Sequence, residues 1–431
     1  MALNFGIVEK FVSDYRDIMQ DKTLLRHDRY RILQELKEHL LTGLKDYEAF
    51  ESELNNLVMD RVENTRSYDE LKECHERAAI GVENFFLEED SVTDVHDLFR
   101  IIRDAITIKV LGLVEEEMVS DGLGSPPVDY IWVGLGSEGR DEQTLVTDQD
   151  NLIVFEDADK KSISDSLKKT ASMEGIDINS PEEIASFYFR KFAEKAVERL
   201  DQVGFEKCKG NVMPTNAKWF GSISTWKKKI GATVTNDYRE FELLDIIILT
   251  DARLIKGKRI LFDDLMRYFF SFLTENRHIM KEFVRTAVIM PTALTFFGNF
   301  KTEKEGEFKD KFNIKLTGWS PLILSVRMLA LSNNIYETNT LKRIKILRDM
   351  GVIKKEMYNE LVEAYLTFVR FRIINQINIR HDTSGESLSN PNYISPDMLG
   401  LEEKERIRKA MKTVETLQKY IQELLLFGQP M

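Results

Sequence analysis

Two aspartates that lie two positions apart, Asp148 and Asp150, stand beside a glycine-rich turn. Side chains at this spacing on a β-strand point to the same face, so we expect the two carboxylates side by side. Such a pair is unfavourable unless a cation lies between its members, and a hard divalent ion such as Mg²⁺ prefers oxygen ligands. The turn contains Gly134 and Gly136, and glycine lets backbone N–H groups approach a phosphate closely. Together these features predict a site for a nucleoside triphosphate with its magnesium ion.

The same turn also contains a motif of dinucleotide-binding proteins. Gly134, Gly136 and Gly139 form G-x-G-x-x-G, and Glu156 follows at a suitable distance. However, fewer than about twenty residues separate the flanking apolar runs, whereas the strand–helix–strand unit of those proteins needs roughly thirty. A dinucleotide site would also leave the aspartate pair unexplained, so this alternative is disfavoured.

Three apolar runs predict strands of a sheet around this turn. Residues 130–133 and 152–155 flank the turn, and residues 241–250 become continuously apolar, which favours a central strand. That third strand would deliver Asp251 beside the first pair. A third carboxylate suits two-metal chemistry, in which ions about 4 Å apart stabilise the attacking and leaving oxygens. An aspartate that caps the following turn is the alternative, and the residues alone leave both open.

Helical patterns lie on both sides of this region. Apolar residues recur every three or four positions in residues 5–15 and 98–108, and again from residue 258 to the end. The pattern predicts an α+β fold in which a small mixed sheet is flanked by helices. We place the domains at residues 1–115, 116–265 and 266–431. Most arginines of the last segment are expected on the surface with their stems over apolar neighbours, in a set that comprises Arg343, Arg348, Arg370 and Arg372.

Composition excludes several classes of protein. The 431 residues include 60 Lys and Arg against 72 Asp and Glu, a net charge of −12 that disfavours binding of nucleic acid over the whole surface. The two cysteines, Cys74 and Cys208, have no paired spacing and suit a reducing cytosol. The first residues lack the features of a signal peptide, and no apolar run approaches the ~18 residues of a membrane span. We therefore expect a cytoplasmic protein that does not enter the membrane.

The motif around the aspartate pair resembles a known signature. Gly136-Ser137, ten intervening residues and Asp148-x-Asp150 are similar to the signature of the polymerase-β-like nucleotidyltransferase superfamily. The longer string GSEGRDEQTLVTDQDN resembles one branch, the bacterial nucleotidyltransferases related to the N-terminal part of the uridylyltransferase that modifies the PII signalling protein. DARLIKG, which begins at Asp251, resembles the segment that carries the family's third carboxylate. NIKLTGWSPLILSVRMLAL with FVRFRIINQ resembles the helical C-terminal substrate-binding domain of this branch.

The resemblance implies a reaction and a set of site residues. The reaction is transfer of a nucleoside monophosphate from a nucleoside triphosphate to an acceptor hydroxyl, a protein being one acceptor, with release of pyrophosphate. The catalytic and metal-binding residues would be Asp148, Asp150 and Asp251, with Mg²⁺ or Mn²⁺ as the ion. The nucleotide-binding residues would be Gly136, Ser137, Arg140, Asn216, Lys315 and Arg327.

Two other functions stay open at this point. One is a nucleotide-sensing regulatory or scaffold protein that binds without turnover, and the other is a nucleotidyltransferase for small molecules. The chain shows no convincing module for removal of the nucleotide, which departs from the full-length uridylyltransferase. The identity of the acceptor, the preferred base and the formation of homo-oligomers also stay open.

Overall fold

The computed structural model describes residues 25–56, 61–146, 148–233, 241–381 and 390–426. Contacts divide the chain into two units, and the boundary along the sequence lies between Lys109 and Val110. The helix predicted at residues 5–15 lies outside the described residues. So does part of residues 382–396, whose Ser, Gly, Asn and Pro content predicts a loop. The domain boundaries at residues 115 and 265 stay predictions.

Helices make up the described part of the first unit, as predicted. They are α1 (Arg26–Asn55), α2 (Tyr68–Glu89) and the beginning of α3 (Val92–Ser120). Ser67 caps α2 by accepting a hydrogen bond from the N–H of Glu70, which satisfies one of the free donors of the first turn. The Arg103 side chain donates to His75 at 3.3 Å within the buried part of this unit.

The second unit contains a mixed four-stranded sheet with the order β5-β3-β1-β6. Its central strand β1 is antiparallel to both β3 and β6, while β3 and β5 are parallel. Every residue of β1 and β3 is buried, in agreement with the apolar runs that predict them. The α+β class is therefore confirmed. The strands are β1 (Tyr130–Gly134), β3 (Asn151–Phe155), β5 (Phe220–Ser222) and β6 (Arg253–Gly257).

Aromatic side chains join the sheet to the long helix α6 (Pro181–Gln202). Ser180 caps this helix by accepting a hydrogen bond from the N–H of Glu183, and Pro181 occupies its first turn. Phe189 of α6 stacks on Phe155 of β3 with ring centroids 4.5 Å apart. This packing fixes β3, the strand that follows the aspartate pair.

The predicted strand at residues 241–250 is wrong, because these residues form helix α8 (Leu243–Leu249). Glu242 is its N-cap, and the Asp245 carboxylate accepts a hydrogen bond from the N–H of Glu242 at 2.7 Å. A short, continuously apolar run does not distinguish a buried strand from a buried helix. The strand position beside β1 is taken by β6, so Asp251 lies between a helix and a strand.

The rest of the second unit consists of helices and two pairs of short strands. Short strands β2 (Asp148–Gln149) and β4 (Glu206–Lys207) pair in parallel, and β7 (Phe312–Asn313) pairs with β8 (Tyr393–Ile394) in antiparallel fashion. None of the described helices is both long and apolar enough to cross a membrane. The remaining helices are α4 (Gly136–Gly139), α5 (Asp165–Met173), α7 (Ile223–Ala232), α9 (Arg259–Glu275), α10 (Arg277–Ile289), α11 (Ser320–Ser332), α12 (Thr340–Asp349), α13 (Lys355–His381) and α14 (Leu401–Ile421).

Candidate functional site

The turn after β1 brings its backbone against the side chain of Asp150. The N–H of Leu135 donates to the carbonyl of Asp150 at 2.7 Å. Gly136 has a φ of 54°, and a Cβ at this position would lie 2.4 Å from the Asp150 Oδ2 atom. Glycine is therefore required here for the backbone conformation and for the close approach.

Strand β2 places the two predicted metal ligands on one face. Between them, the buried Gln149 points the other way and donates to the carbonyls of Val197 and Phe205 at 3.1 and 2.8 Å. The two-residue alternation of a strand then directs Asp148 and Asp150 to the opposite face. The close approach of the two carboxylates follows from this local geometry.

The two carboxylates of this pair repel each other, and nearby positive groups compensate part of their charge. Burial raises the pKa of Asp150 to about 6, and the Asp148 carboxylate adds to the rise; a hydrogen bond with Cys208 and the positive charges of Arg140 and Lys315 oppose it. No ion pair joins either carboxylate to another group in the part of the chain that the structure describes. The nearby positive groups therefore compensate only part of the negative charge of the pair.

Lys315 supplies part of that charge from the C-terminal segment. Burial and the Arg372 guanidinium lower the pKa of its ammonium group, while Asp148 and Asp150 act to raise it. The side chain of Lys315 forms no hydrogen bond or ion pair among the described residues, whereas its carbonyl accepts a hydrogen bond from the N–H of Ser320. The ammonium group therefore has no competing partner there for an anion.

A third donor lies beside the pair, and it belongs to Cys208. One carboxylate oxygen from each of Asp148 and Asp150 and the Cys208 sulfur lie within 4.8 Å of one another. Oxygen ligands lie about 2.1 Å and sulfur about 2.3 Å from an ion such as zinc. The three side chains therefore fit a divalent cation after small rotations.

The sequence predicts Asp251 as the third metal ligand, whereas in the structure its carboxylate binds guanidinium groups. It is only 1% exposed and accepts hydrogen bonds from Arg140, at 2.5 Å, and from Arg327. Arg343 completes the set with 3.6 Å between its Nη1 atom and Asp251 Oδ1. This difference arises because Asp251 follows helix α8 and not the strand predicted at residues 241–250. We call Asp251 with these three arginines the arginine cluster.

Burial makes the arginine cluster dependent on its one shared carboxylate. Burial lowers the pKa of Arg327 to about 9, an effect that Asp251 opposes. Arg343 is fully buried, and burial likewise lowers its pKa against the opposing effect of Asp251. The expectation that Arg343 lies at the surface is therefore wrong. A buried guanidinium is stable only when it is paired, so each arginine holds the Asp251 side chain in place.

Glu142 connects the turn region to the C-terminal helices. Its carboxylate accepts a hydrogen bond from Arg140 Nε at 2.8 Å and another from the N–H of Thr340, the first residue of α12, at 2.7 Å. The Asn339 side chain donates to the carbonyl of Arg140 at 2.9 Å. These contacts hold α12 against the loop that leads to the aspartate pair.

Trp319 contributes an aromatic surface between two arginines. The guanidinium carbon of Arg372 lies 4.5 Å from the ring centroid of Trp319, and that of Arg140 lies 5.2 Å from it. Cations close to an aromatic face are stabilised by its quadrupole. Arg372 is buried, contrary to the expectation of a surface position. The ring lies four residues after Lys315 in the C-terminal segment.

The other predicted nucleotide-binding residues differ in their availability. Ser137 lies in the first turn of α4, and its carbonyl accepts a hydrogen bond from the N–H of Glu142 at 2.9 Å. Asn216 is engaged in its own loop, where its side chain accepts from the N–H of Lys218 at 3.0 Å and donates to the carbonyl of Asn211 at 3.1 Å. Arg327 belongs to the arginine cluster.

Sequence reasoning missed Cys208 as a member of this group, because its position depends on strand pairing. Strands β2 and β4 are parallel, with Asp148 opposite Glu206 and Gln149 opposite Lys207. The register carried one residue further brings Cys208 opposite Asp150. A short polar strand such as Glu206–Lys207 has no apolar pattern, so the sequence carries no clear signal for this pairing.

Two family models match the chain in consecutive segments. Residues 76–240 match the family described as "Putative nucleotidyltransferase DUF294", and residues 277–424 match "Putative nucleotidyltransferase substrate binding domain". No curated protein matches the sequence. Residues 76–240 thus belong to the family of the first model and residues 277–424 to that of the second, as the resemblance implies. The matches support a general nucleotidyltransferase function.

Proposed function

We propose that the protein transfers a nucleoside monophosphate from a nucleoside triphosphate to an acceptor hydroxyl. The observation that carries this proposal is the Asp148–Asp150 pair beside the Gly136 turn, with the positive charge of Lys315 in electrostatic range of both carboxylates. In this reaction the acceptor oxygen forms a bond to the α-phosphorus, the bond to the bridging oxygen breaks, and pyrophosphate leaves. The acceptor hydroxyl releases its proton to solvent as the new bond forms.

Asp148 and Asp150 would hold the divalent ion, Mg²⁺ or Mn²⁺, with their carboxylate oxygens. Bound there, such an ion neutralises charge on the triphosphate and on the leaving pyrophosphate. Lys315 contributes a second positive charge to the phosphates, and the backbone N–H groups of Gly136 and Ser137 offer hydrogen bonds to them. Phosphoryl chemistry depends mainly on such positioning and charge neutralisation.

Asp251 has a positioning role in this proposal. Its carboxylate orients Arg140, which also donates a hydrogen bond to Glu142. Burial acts to lower the pKa of Arg140, but the carboxylates of Asp251 and Glu142 outweigh burial and raise it. A permanently charged Arg140 then contributes long-range positive potential to Asp150 and to the phosphates.

The test follows the α-phosphate. The chain is incubated with α-labelled nucleoside triphosphates, Mg²⁺ or Mn²⁺ and cell lysate, and both labelled products and pyrophosphate are measured. Asp148→Asn and Asp150→Asn should each lower pyrophosphate release at least about a hundredfold, equivalent to about 2.7 kcal/mol of barrier. Asp165→Asn is the control, because this side chain is fully exposed. Undiminished turnover in both site variants would reject the proposal.

The fate of the label identifies the acceptor. Label in a protein band indicates protein modification, label in a small product indicates a small-molecule acceptor, and label in RNA indicates a nucleic acid. The first outcome is the one expected from the resemblance to the uridylyltransferase.

A nucleotide-binding regulatory protein without turnover is the second candidate, and the contacts of Asp251 favour it. The three-carboxylate set expected for two-metal chemistry is reduced to two carboxylates and a thiol, since Asp251 binds arginines. This candidate predicts nucleotide-dependent thermal stabilisation together with the absence of pyrophosphate release for every acceptor tried.

A further inference from the structure

The position of Cys208 is fixed by the backbone around it. The carbonyl of Cys208 accepts a hydrogen bond from the N–H of Asn211 at 3.0 Å, which closes a tight turn with Asn211 at a φ of 55°. The next residue, Val212, accepts a hydrogen bond from the N–H of Asn151 at 3.0 Å. The loop is thereby tied to the first residue of β3, directly after Asp150.

The surroundings of the Cys208 sulfur differ from those of a cysteine that only fills space. Such cysteines are buried among apolar atoms, whereas Cys208 is a half-buried free thiol whose neighbours are two carboxylates. Its sulfur and the Asp150 carboxylate are close enough to shift each other's pKa. A Cβ at Gly210 would lie 3.5 Å from the sulfur, so the glycine leaves one side of the thiol open.

The geometry of the three donors suits direct coordination. The two carboxylate oxygens and the sulfur lie within 4.8 Å of one another, while two ligands of a tetrahedral Zn²⁺ ion, each about 2.0–2.3 Å from the metal, lie about 3.5 Å apart, so coordination requires the donors to close by about 1 Å. Three donors from two paired strands and one adjoining turn leave further coordination positions free for phosphate oxygens. Sulfur favours Zn²⁺ and Co²⁺, whereas sites of oxygen alone suit Mg²⁺.

We propose that Cys208 is the third protein ligand of the metal centre, together with Asp148 and Asp150, and that its sulfur raises the affinity of the centre for Zn²⁺ and Co²⁺ relative to Mg²⁺. This inference rests on the metal centre of the proposed function and adds a ligand to it, so the centre binds Zn²⁺ or Co²⁺ as well as the Mg²⁺ or Mn²⁺ proposed there. It also assigns to Cys208 the place that the sequence gives to Asp251.

Cobalt tests the ligand directly, because sulfur bound to Co²⁺ produces a charge-transfer band in the near ultraviolet. The full chain is titrated with Co²⁺, and absorbance is recorded for the native protein and for Cys208→Ser. Cys74→Ala is the matched control, since it removes the other cysteine of the chain. The native protein and Cys74→Ala should show the band, and Cys208→Ser should lose it while the visible bands of bound cobalt remain.

Competition gives a second readout that does not depend on the band. Zn²⁺ affinity should fall about tenfold or more in Cys208→Ser, the size of effect seen when support of a metal site is removed. In Cys208→Ser, the Mg²⁺ concentration needed to displace Co²⁺ should also fall by a similar factor relative to the native protein. Thermal melts of each variant establish that it is folded.

The outcomes separate this inference from the proposed function. Cobalt bound without a sulfur band in the native protein, or a band that persists in Cys208→Ser, overturns the role of Cys208 and leaves the nucleotidyltransferase proposal intact. Failure of any divalent ion to bind, with or without nucleoside triphosphate, overturns both. Loss of the sulfur band in Cys208→Ser alone supports the inference even if pyrophosphate release is absent.

Discussion

The Asp251 carboxylate accepts a hydrogen bond from Arg140 at 2.5 Å, although the two residues are 111 positions apart in the chain. Arg140 comes from the turn that approaches the aspartate pair, and Asp251 comes from the connection between α8 and β6. A Cβ at Gly139 would lie 1.9 Å from the Asp251 carbonyl oxygen, so the two segments are also in backbone contact. The arginine cluster is thus a direct support of the candidate site.

Asp251→Asn should destabilise the protein severely. The substitution keeps the shape of the side chain but leaves three buried guanidinium groups without their shared negative charge, which costs about 3–5 kcal/mol. Denaturant unfolding of the variant and of Asp349→Asn gives the comparison. Asp349 forms an exposed ion pair with Arg348, so its substitution should change the free energy of unfolding by less than about 1 kcal/mol. Unchanged stability of Asp251→Asn combined with loss of metal binding would instead identify Asp251 as a metal ligand.

Lys315→Met should weaken nucleotide binding without unfolding the protein. Its ammonium has no ion pair to lose among the described residues, and its charge acts on the aspartate pair. Removal should raise the Kd for a nucleoside triphosphate about tenfold, or about 1.4 kcal/mol, as measured by calorimetry. Lys345→Met on the exposed face of α12 is the control. Equal affinities for both variants would remove Lys315 from the phosphate site.

Gly136→Ala and Gly122→Ala form a matched pair. Both glycines have a positive φ, of 54° and 81°, so alanine strains each backbone by about 1–2 kcal/mol. Only at Gly136 does the added Cβ meet another group, the Asp150 carboxylate; nothing lies within 4 Å at Gly122. Divalent-metal affinity should therefore fall about tenfold or more in Gly136→Ala and stay unchanged in Gly122→Ala. Equal metal affinity in the two variants would contradict the close approach.

The contribution of Asp150 to the stability of the metal-free protein should fall as the pH rises from about 4 to about 6. Burial and Asp148 raise the pKa of Asp150 to about 6, from an unfolded value of about 3.9. The folded state then holds the proton over this interval while the unfolded state has released it, so stability declines with rising pH. The free energy of unfolding, measured across the interval with a chelator present, should decline relative to Asp150→Asn.

Asp157 provides a control of opposite sign. Burial acts to raise its pKa, but hydrogen bonds from Ser224 and Ser222 outweigh this effect and lower it. Its contribution is present above the unfolded pKa and is lost as the pH falls through the folded one. The difference between native protein and Asp157→Asn should accordingly stay constant between about pH 5 and pH 6. A constant difference for Asp150→Asn as well would show that Asp150 is not desolvated.

Local sequence patterns correctly predicted the elements whose formation depends on residues close together in the chain. Continuous apolar runs identified β1 and β3. The same reasoning failed at α8, because an apolar run alone does not separate helix from strand. There Glu242 and Asp245 carry the capping interaction that marks a helix start.

Long-range contacts account for what local patterns missed in the candidate site. Cys208 joins the aspartate pair only through the pairing of β2 with β4. Arg343 has the spacing of a surface arginine on α12, yet it is buried because Asp251 and the carbonyls of Glu337 and Thr250 surround its guanidinium group. Both errors come from tertiary partners that are distant in sequence.

Asp251 lies in the stretch between the two segments that match family models, yet it binds arginines of both. Arg140 belongs to the first segment, and Arg327 and Arg343 belong to the second. A chimera that takes one segment from a relative therefore keeps only some of the residues of the arginine cluster. The two segments and the stretch between them must be exchanged together, because the charges of the cluster balance only when all three are present.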